Sequence, residues 1–479
     1  MSAALEIDHL RAELAKRDAV IAEQAKVIAA LTAKVEALEA LVLKQAELLG
    51  RNSKNSNLPP SSDGPGGGSS KARKKLKGRK QGGQKGHKGS HRALVPPENV
   101  DDVVDMFPAR CDACDEWLPK TEDPRPKRYQ QTELAPFVPK VTEWRRHKVV
   151  CPACGHATRA HYDEDVIPRY AFGPRVAAVV VLLTGVYHLS RRDTARLLCE
   201  LLGLRISTGS VSHIEGRMSV AVEPAVDEVW EAAHAAPVKH TDGTTWFQAG
   251  LVLALWTVAT AGVTVFKILP NGQRETLERE LLPEMKGILS SDRAGALSFW
   301  AMELRQICWA HLLRKFVSFA ERDGPTRTLG RELLDCTGVL FAYWLDFKEG
   351  RLTREQLAAR VAPVRVDFER TLRRAIEADI KGLSGSCADI WEHRKALWTF
   401  IEVDGVEPTN NHAERELRRF VLWRKRSFGS QSVRGNVFAE RIMTIAHTAR
   451  KQGRDVLAFL VACASRVDDD PAPSLFAAA

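Results

Sequence analysis

The sequence predicts a multidomain chain, with helical and basic modules in its N-terminal half and a mixed α/β core carrying a long helical insertion in its C-terminal half. Three observations predict it. Heptad spacing fills the first 50 residues. Two Cys-x-x-Cys pairs follow at 111–114 and 151–154. From Val238 onward, strand-like runs that end in aspartate alternate with helical patterns. A length of 479 residues suits about three domains. A hydrophobic content of 44% supplies real cores. Lys and Arg number 70 against 60 Asp and Glu, a net charge of +10 whose placement matters more than its size. No secretory signal opens the chain, and the longest apolar run, near Val176–Val186, is too short to span a bilayer. A soluble, intracellular protein without membrane contact is expected.

Residues 1–50 read as a coiled coil. Leu14, Ile21, Ile28, Val35, Val42 and Leu49 recur every seven residues, with Leu10, Leu31 and Leu38 in the matching second row. Arg17, Gln24 and Gln45 interrupt that row. β-Branched residues in the first row with Leu in the second favour a parallel dimer. Residues 51–100 break from this pattern. Gly64 to Arg92 holds ten basic residues and no acid, among them Lys74, Lys75, Arg79, Lys80, Lys85 and Lys88. Such a tract cannot bury a core. It is a solubilising linker or, the favoured reading, an arm that binds phosphate through counterion release.

Residues 101–165 carry Cys111, Cys114, Cys151 and Cys154. Two such pairs fit one structural, tetrahedral Zn²⁺, each knuckle presenting two thiolates from a tight turn. Nine Cys in a chain of this length do not suggest a disulfide scaffold, and nothing nearby resembles a redox dithiol. Residues 170–236 read as all-helical. Ser190-Arg191-Arg192-Asp193 caps a helix that Gly203 ends, and Ile206–Ser210 leads into another with Val211, Ile214 and Met218 on one face. This suits a helix-turn-helix in which Arg191, Arg192, Ser210 and Ser212 meet DNA, and equally any helical hairpin.

Residues 237–430 form the α/β part. Val238–Asp242 reads as a strand ending at Asp242. Leu251–Thr257 and Val263–Leu269 make a hairpin, Glu275–Leu282 a short helix, and Gly287–Asp292 a fourth strand ending at an Asp. Gln306–Trp309 is an apolar run leading into a helix over Ala310–Glu321. A helical stretch covers about 326–400. Pro408 then blocks a helix from upstream, and Thr409 or Asn410 can cap the next, whose apolar face is Ala413, Leu417, Phe420 and Val421. Residues 431–479 are a C-terminal helical region, with one helix over about Phe438–Val467, and a tail.

Strand, hairpin, helix, strand, with an Asp ending the first and fourth strands, is the ribonuclease-H-like plan. Those two strands are neighbours in such a sheet, so Asp242 and Asp292 can meet at one edge. A third acid from the late helix completes an oxygen cage for Mg²⁺ or Mn²⁺, two ions per site, suited to in-line displacement at phosphorus. Glu414 and Glu416 flank the apolar face on opposite sides. Asn410 and Arg418, each four residues away, favour Glu414. Glu416 is then the natural control, whose loss spares catalysis. Arg415, Arg418, Arg419, Arg424, Lys425 and Arg426 crowd the same helix, where a DNA backbone runs if the acids are catalytic. Cys308 and His311 make half a zinc motif, or a buried Cys with a hydrogen-bonded His; a contact of His311 with DNA phosphate is the sharper reading.

Several stretches in fixed order carry a resemblance. They are Arg51–Ser56 with the Pro-Pro-Ser-Ser-Asp after it, Gly82–Gly89, the two Cys-x-x-Cys pairs, Thr241-Asp242, Ser291-Asp292, Cys308-Trp309-Ala310-His311, Thr409–Arg418 and Trp423–Ser430. Together they resemble a DDE transposase of the insertion-sequence-66 family over essentially the full length. The resemblance implies catalytic acids at Asp242, Asp292 and Glu414, Mg²⁺ dependence, and a helical insertion between the last two. It implies action on transposon-end and target double-stranded DNA in the bacterial cytoplasm, at the nucleoid. It also suggests small accessory proteins encoded beside the gene. One departure stands out: relatives often carry an acid directly after the first Asp, and this chain has Gly243. The other functional class open to the sequence is a DNA-binding regulator or architectural protein with an inactive nuclease-like fold.

Overall fold

A computed structural model describes residues 3–49, 93–161, 168–283, 285–467 and 470–477. The contacts divide the chain into two compact units. The larger holds residues 1–69, 168–194 and 208–479; the smaller holds 70–167 and 195–207.

In the larger unit, α1 spans Ala3–Leu49 without a break. Leu14, Ile21, Ile28, Leu31, Val35, Leu38 and Val42 are each between 52% and 63% exposed, so these seam positions have no cover among the described residues. Helix α2 (Pro174–Val181) runs into a π-helical turn at Leu182–Val186. Then come α3 (Arg191–Leu202), which from Ala195 onward belongs to the smaller unit, α4 (Thr208–Ala221) and α5 (Glu223–Ala235). The Ser190 hydroxyl accepts the Asp193 N–H at the start of α3, and Gly203, at φ +63°, ends it. Val211, Ile214 and Met218 are the buried face of α4.

The α/β part is built on a five-stranded sheet ordered β5-β4-β3-β6-β7. Its strands are β3 (Val238–Gln248), β4 (Leu251–Ala259), β5 (Thr264–Leu269), β6 (Ile288–Ser291) and β7 (Arg305–Ile307). The first three form an antiparallel meander; β6 pairs parallel to β3, and β7 parallel to β6. A short helix α6 (Arg274–Thr276) and a π-helical turn (Leu277–Leu281) carry the crossover from β5 to β6. Two expectations change here. Strand β3 does not end at Asp242 but continues to Gln248, because Thr244 to Phe247 are strand formers and Trp246 buries its ring. The apolar run at Gln306 is itself a strand, β7, buried along its length.

Helix α7 (Trp309–Ala320) leaves β7. Helices α8 (Pro325–Lys348), α9 (Arg354–Glu377), α10 (Ser384–Glu392) and α11 (Thr399–Glu402) follow, with a core of their own around Trp309, Phe316, Phe368 and Trp398. Helix α12 (Asn411–Ser427) then lays Leu417 and Phe420 against Trp246, Leu255 and Phe266 of the sheet. The expected single C-terminal helix is two, α13 (Val433–Lys451) and α14 (Val456–Ser465). Gly453, at φ +69°, ends the first, and the Asp455 carboxylate caps the second.

Helix α13 also closes the sheet edge. Thr448 Oγ1, Thr444 Oγ1 and Glu440 Oε1 accept the outward N–H groups of Thr264, Phe266 and Ile268 in turn. Four helical residues advance about 6 Å and two strand residues about 6.6 Å, so one side chain per turn meets every second N–H. The edge is thereby removed as a template for stray pairing.

In the smaller unit, β1 (Lys148–Val150) and β2 (Ala157–Arg159) pair antiparallel around the second Cys pair. Among the described residues no helix is long and apolar enough to cross a membrane.

Candidate active site

Parallel pairing of β3 with β6 ends at His240 and Ser290. Asp242 and Asp292 each stand two residues further on, so both acids leave neighbouring strands at the same level and parity. Asp242 Oδ1 accepts the Gly243 N–H and Asp292 Oδ1 the Ala294 N–H, each at 2.9 Å. The buried Arg305 guanidinium fixes the end of β6 by donating to Ser291 Oγ and to the Asp292 carbonyl, each at 3.1 Å.

Glu414 comes from the first turn of α12. Asn410 precedes that helix but makes no side-chain cap. Its Nδ2 donates instead to the Thr241 carbonyl at 2.7 Å, and its backbone N–H meets Cys308 Sγ at 3.0 Å. The Trp309 N–H donates to the Pro408 carbonyl at 2.9 Å. One fully buried Asn thus ties the start of α12 to the residue before Asp242 and to the start of α7.

The three acids feel one another. Burial, then the charges of Asp292 and Glu414, raise the Asp242 carboxyl to about 7, against the Gly243 N–H and Arg314. All-oxygen donors that repel one another without a counter-charge are the set that hard divalent cations take. They do not close into a single cage, however. Among the described residues, the one group of three potential metal ligands within 4.8 Å of one another is Cys308, His311 and Glu414. Thiol, imidazole and carboxylate form a zinc-type set. Yet burial raises the Cys308 thiol to about 11, and Arg314 stands 3.6 Å from the same Glu414 oxygen. A neutral thiol and a neighbouring guanidinium both disfavour a cation at that point. Cys308 is buried and its sulfur accepts the Asn410 N–H, as expected of a structural Cys, but the hydrogen bond expected of the His311 ring is not made at Nδ1.

Glu416 lies on the other flank of α12 in a separate polar cluster. Its carboxylate meets His447 Nδ1 and lies 3.3 Å from Lys451 Nζ and 3.7 Å from His412 Nε2. Burial pushes this carboxyl up, but His412, His447 and Lys451 outweigh it and the net direction is down. Lys451 also donates to the Thr260 and Val263 carbonyls, so the cluster clamps the β4–β5 turn.

The basic residues of α12 divide. Arg415, Arg418, Arg419, Lys425 and Arg426 are exposed, whereas Arg424 donates to Thr244 and Thr245 of β3 and is engaged. Upstream, Arg191 forms an ion pair with buried Glu215 at 2.6 Å, and Ser212 Oγ accepts from Arg434 at 2.7 Å. Arg191 is thus committed within the helical module, and Ser212 to α13. Arg192 is exposed and Ser210 half-buried. Lys74, Lys75, Arg79, Lys80, Lys85 and Lys88 lie outside the described residues. The two Cys pairs fold alike: the Cys111 carbonyl accepts the Asp115 N–H and the Cys151 carbonyl the Gly155 N–H, each at 2.9 Å. Backbone N–H groups, first those of Ala113 for Cys111 and of Cys154 for Cys151, lower both leading thiols. The turn of each knuckle therefore favours the thiolate of its leading Cys, but among the described residues the four sulfurs are not brought to one point.

Residues 169–437 match the model of the transposase IS66 family, from before α2 into α13 and across all three acids. The chain belongs to the IS66 transposase family. A transposase binds and cuts DNA, and the family suggests use of divalent metal. Residues 3–93 match a family of unknown function. An uncharacterized protein of Sinorhizobium fredii, y4hP, is 25% identical over 374 residues, which is 70% of this transposase and 67% of that protein. In the transposase, Gly243 has a local cause. It pairs across strands with Trp256, and a Cβ at 243 would stand 2.6 Å from the indole Cε2. The position cannot hold an acid while Trp256 keeps its place.

Two groups at the site were not found from sequence. Arg314 follows His311 by three residues on α7, the spacing of one helix face, and that signal was available. Arg305 was not findable from sequence, since only the pairing of β7 with β6 sets it under Asp292.

Proposed function

We propose that this transposase uses a ribonuclease-H-like core with Asp242, Asp292 and Glu414 as its acids, binds transposon ends, nicks them by hydrolysis and joins the freed 3′ ends to target DNA. The observation that carries the reading is the register of β3 and β6. It sets two aspartates side by side at one level of a sheet on whose face the Glu414 helix lies. In nicking, water attacks phosphorus, the bond to the 3′ oxygen breaks, and a 3′-hydroxyl and a 5′-phosphate remain. That hydroxyl then attacks a target phosphorus and displaces a target 3′ oxygen. Divalent ions held by the three carboxylates, Mg²⁺ or Mn²⁺ and two per site, supply the Lewis acidity that activates the entering oxygen and stabilises the leaving one.

The chain's own groups do the rest. With its carboxyl raised to about 7, Asp242 is about half protonated at neutral pH, so holding a cation there would be coupled to partial proton release. The Gly243 and Ala294 N–H groups orient the two aspartates and leave one oxygen of each free. Exposed Arg415, Arg418, Arg419, Lys425 and Arg426 hold the DNA backbone without reading sequence. The basic arm with Lys74, Lys75, Arg79, Lys80, Lys85 and Lys88 adds phosphate contacts, and Arg192 and Ser210 add others from the helical module. Cys111, Cys114, Cys151 and Cys154 take one Zn²⁺ once the knuckles draw together. The heptad seam of α1 pairs two copies, because two ends must be held at once.

The test uses duplexes carrying the terminal repeats that flank the gene, a supercoiled target plasmid and Mg²⁺. Ends joined to the plasmid are the expected product. Nicking without joining would reduce the reading to a nuclease, and no nicking by the wild type in Mg²⁺ or Mn²⁺ would refute it.

A further inference from the structure

Three polar atoms beside Glu414 are buried and have no hydrogen-bond partner: Glu414 Oε1, His311 Nδ1 and Arg314 NH2. His311 Nδ1 lies 3.7 Å and Arg314 NH2 3.6 Å from that carboxylate oxygen. These gaps are too long for good direct bonds, yet short enough for one more oxygen to sit about 2.8 Å from each neighbour. Buried polar atoms left without partners are uncommon in folded proteins, and a convergent set marks a place shaped for something else.

The chemistry of the set narrows the occupant. His311 and Arg314 are donors three residues apart on one face of α7, and His311 is in the first turn of that helix, where the helix dipole favours negative charge. The apolar residues Leu312, Phe316 and Phe319 occupy the buried face and hold the helix in place. A guanidinium fork and an imidazole at a helix N-terminus suit a phosphate oxygen. Glu414 would repel that oxygen unless a cation stands between them.

We propose that His311 and Arg314 bind a non-bridging oxygen of the phosphodiester to be cut, and that Arg314 is the counter-charge of Glu414 until a divalent cation takes the carboxylate. The inference rests on the reading of Glu414 as a metal-binding acid. With a divalent cation on Glu414, the Arg314 guanidinium would be released from that carboxylate and its fork would be free to turn to the phosphate. Arg314 therefore gives metal and substrate a common trigger.

The experiment uses the full-length protein in Ca²⁺ and terminal-repeat duplexes with or without a neutral methylphosphonate at the cleaved position. With wild type, the methylphosphonate weakens binding roughly 10- to 100-fold, as loss of a charged hydrogen bond does. Arg314→Ala weakens binding to the normal duplex by a similar factor and makes it insensitive to the methylphosphonate. Arg314→Lys, which keeps the charge and the fold, regains part of the sensitivity. Titration without DNA gives tighter Ca²⁺ binding by Arg314→Ala than by wild type, because a competing cation is gone. Penalties that simply add, or Ca²⁺ binding that is unchanged or weaker in Arg314→Ala, would overturn the proposal. If Glu414→Gln cuts as well as wild type, the reading of the acids has failed. If Glu414→Gln is dead and the Arg314 penalties add, only this inference has failed.

Discussion

Glu414 and Glu416 stand two residues apart on one helix and do different work. Glu416 is the carboxylate beside Lys451 in a largely buried cluster, so removing it leaves that buried ammonium without an anionic partner. Glu416→Ala is expected to cost about 3–5 kcal/mol of stability. Glu414→Gln should change stability by less than about 1 kcal/mol yet abolish cleavage. Thermal melts beside a nicking assay separate the two, and equal melting curves would contradict the division. Glu416 is therefore a control for folding rather than the neutral catalytic control that the sequence suggests. Asp292 and Glu414 could be picked out as candidates because one directly follows β6 and the other opens α12, each with a clear local pattern, whereas Asp242 lies inside β3 and was picked out from a strand end that the structure moves to Gln248. The role of Asn410 was not. Cap grammar is local, whereas its partner is Thr241, 169 residues upstream.

Among elements, α13 carries a pH dependence. Glu440 is part of the ladder that covers β5, and burial raises its carboxyl from 4.5 to about 7. The unfolded chain releases this proton near pH 4.5 and the folded chain near 7. Between these values the folded state holds the extra proton, so stability falls as pH rises, and the full penalty stands above 7. Glu440→Gln keeps the acceptor for the Ile268 N–H and removes the charge. It should gain on the order of 2–3 kcal/mol at pH 8 and nothing at pH 4 by denaturant unfolding. A gain of the same size at both pH values would exclude this cause. The sequence marked the existence of most elements here but not their ends. Strand β3 outruns Asp242 because Trp246 packs on α12, a tertiary contact. The division between α13 and α14 was written in Gly453 and Asp455, and the helical pattern on either side obscured it.

At the scale of the whole molecule, the seam of α1 is an apolar row left exposed among the described residues. Replacing Ile21 and Ile28 together by Asp should turn a dimer into a monomer in sedimentation, because both lie in the first row of the heptads. A dimer that survives the change would move the interface elsewhere. The neighbourhood of β3 and β6 follows from the alternation of hairpin and crossover and so was legible, whereas β7 read only as an apolar run. The approach of the two Cys pairs depends on groups far apart in sequence, and no local pattern fixes it. The central claim is that Asp292 is one of the acids that drive cleavage. It is tested most directly by strand cleavage of a terminal-repeat duplex in Mg²⁺, with Asp292→Asn against wild type at matched folding. The expected result is nicking by wild type and at least a 100-fold loss, roughly 3 kcal/mol, in the variant. Equal nicking by the two proteins would contradict it.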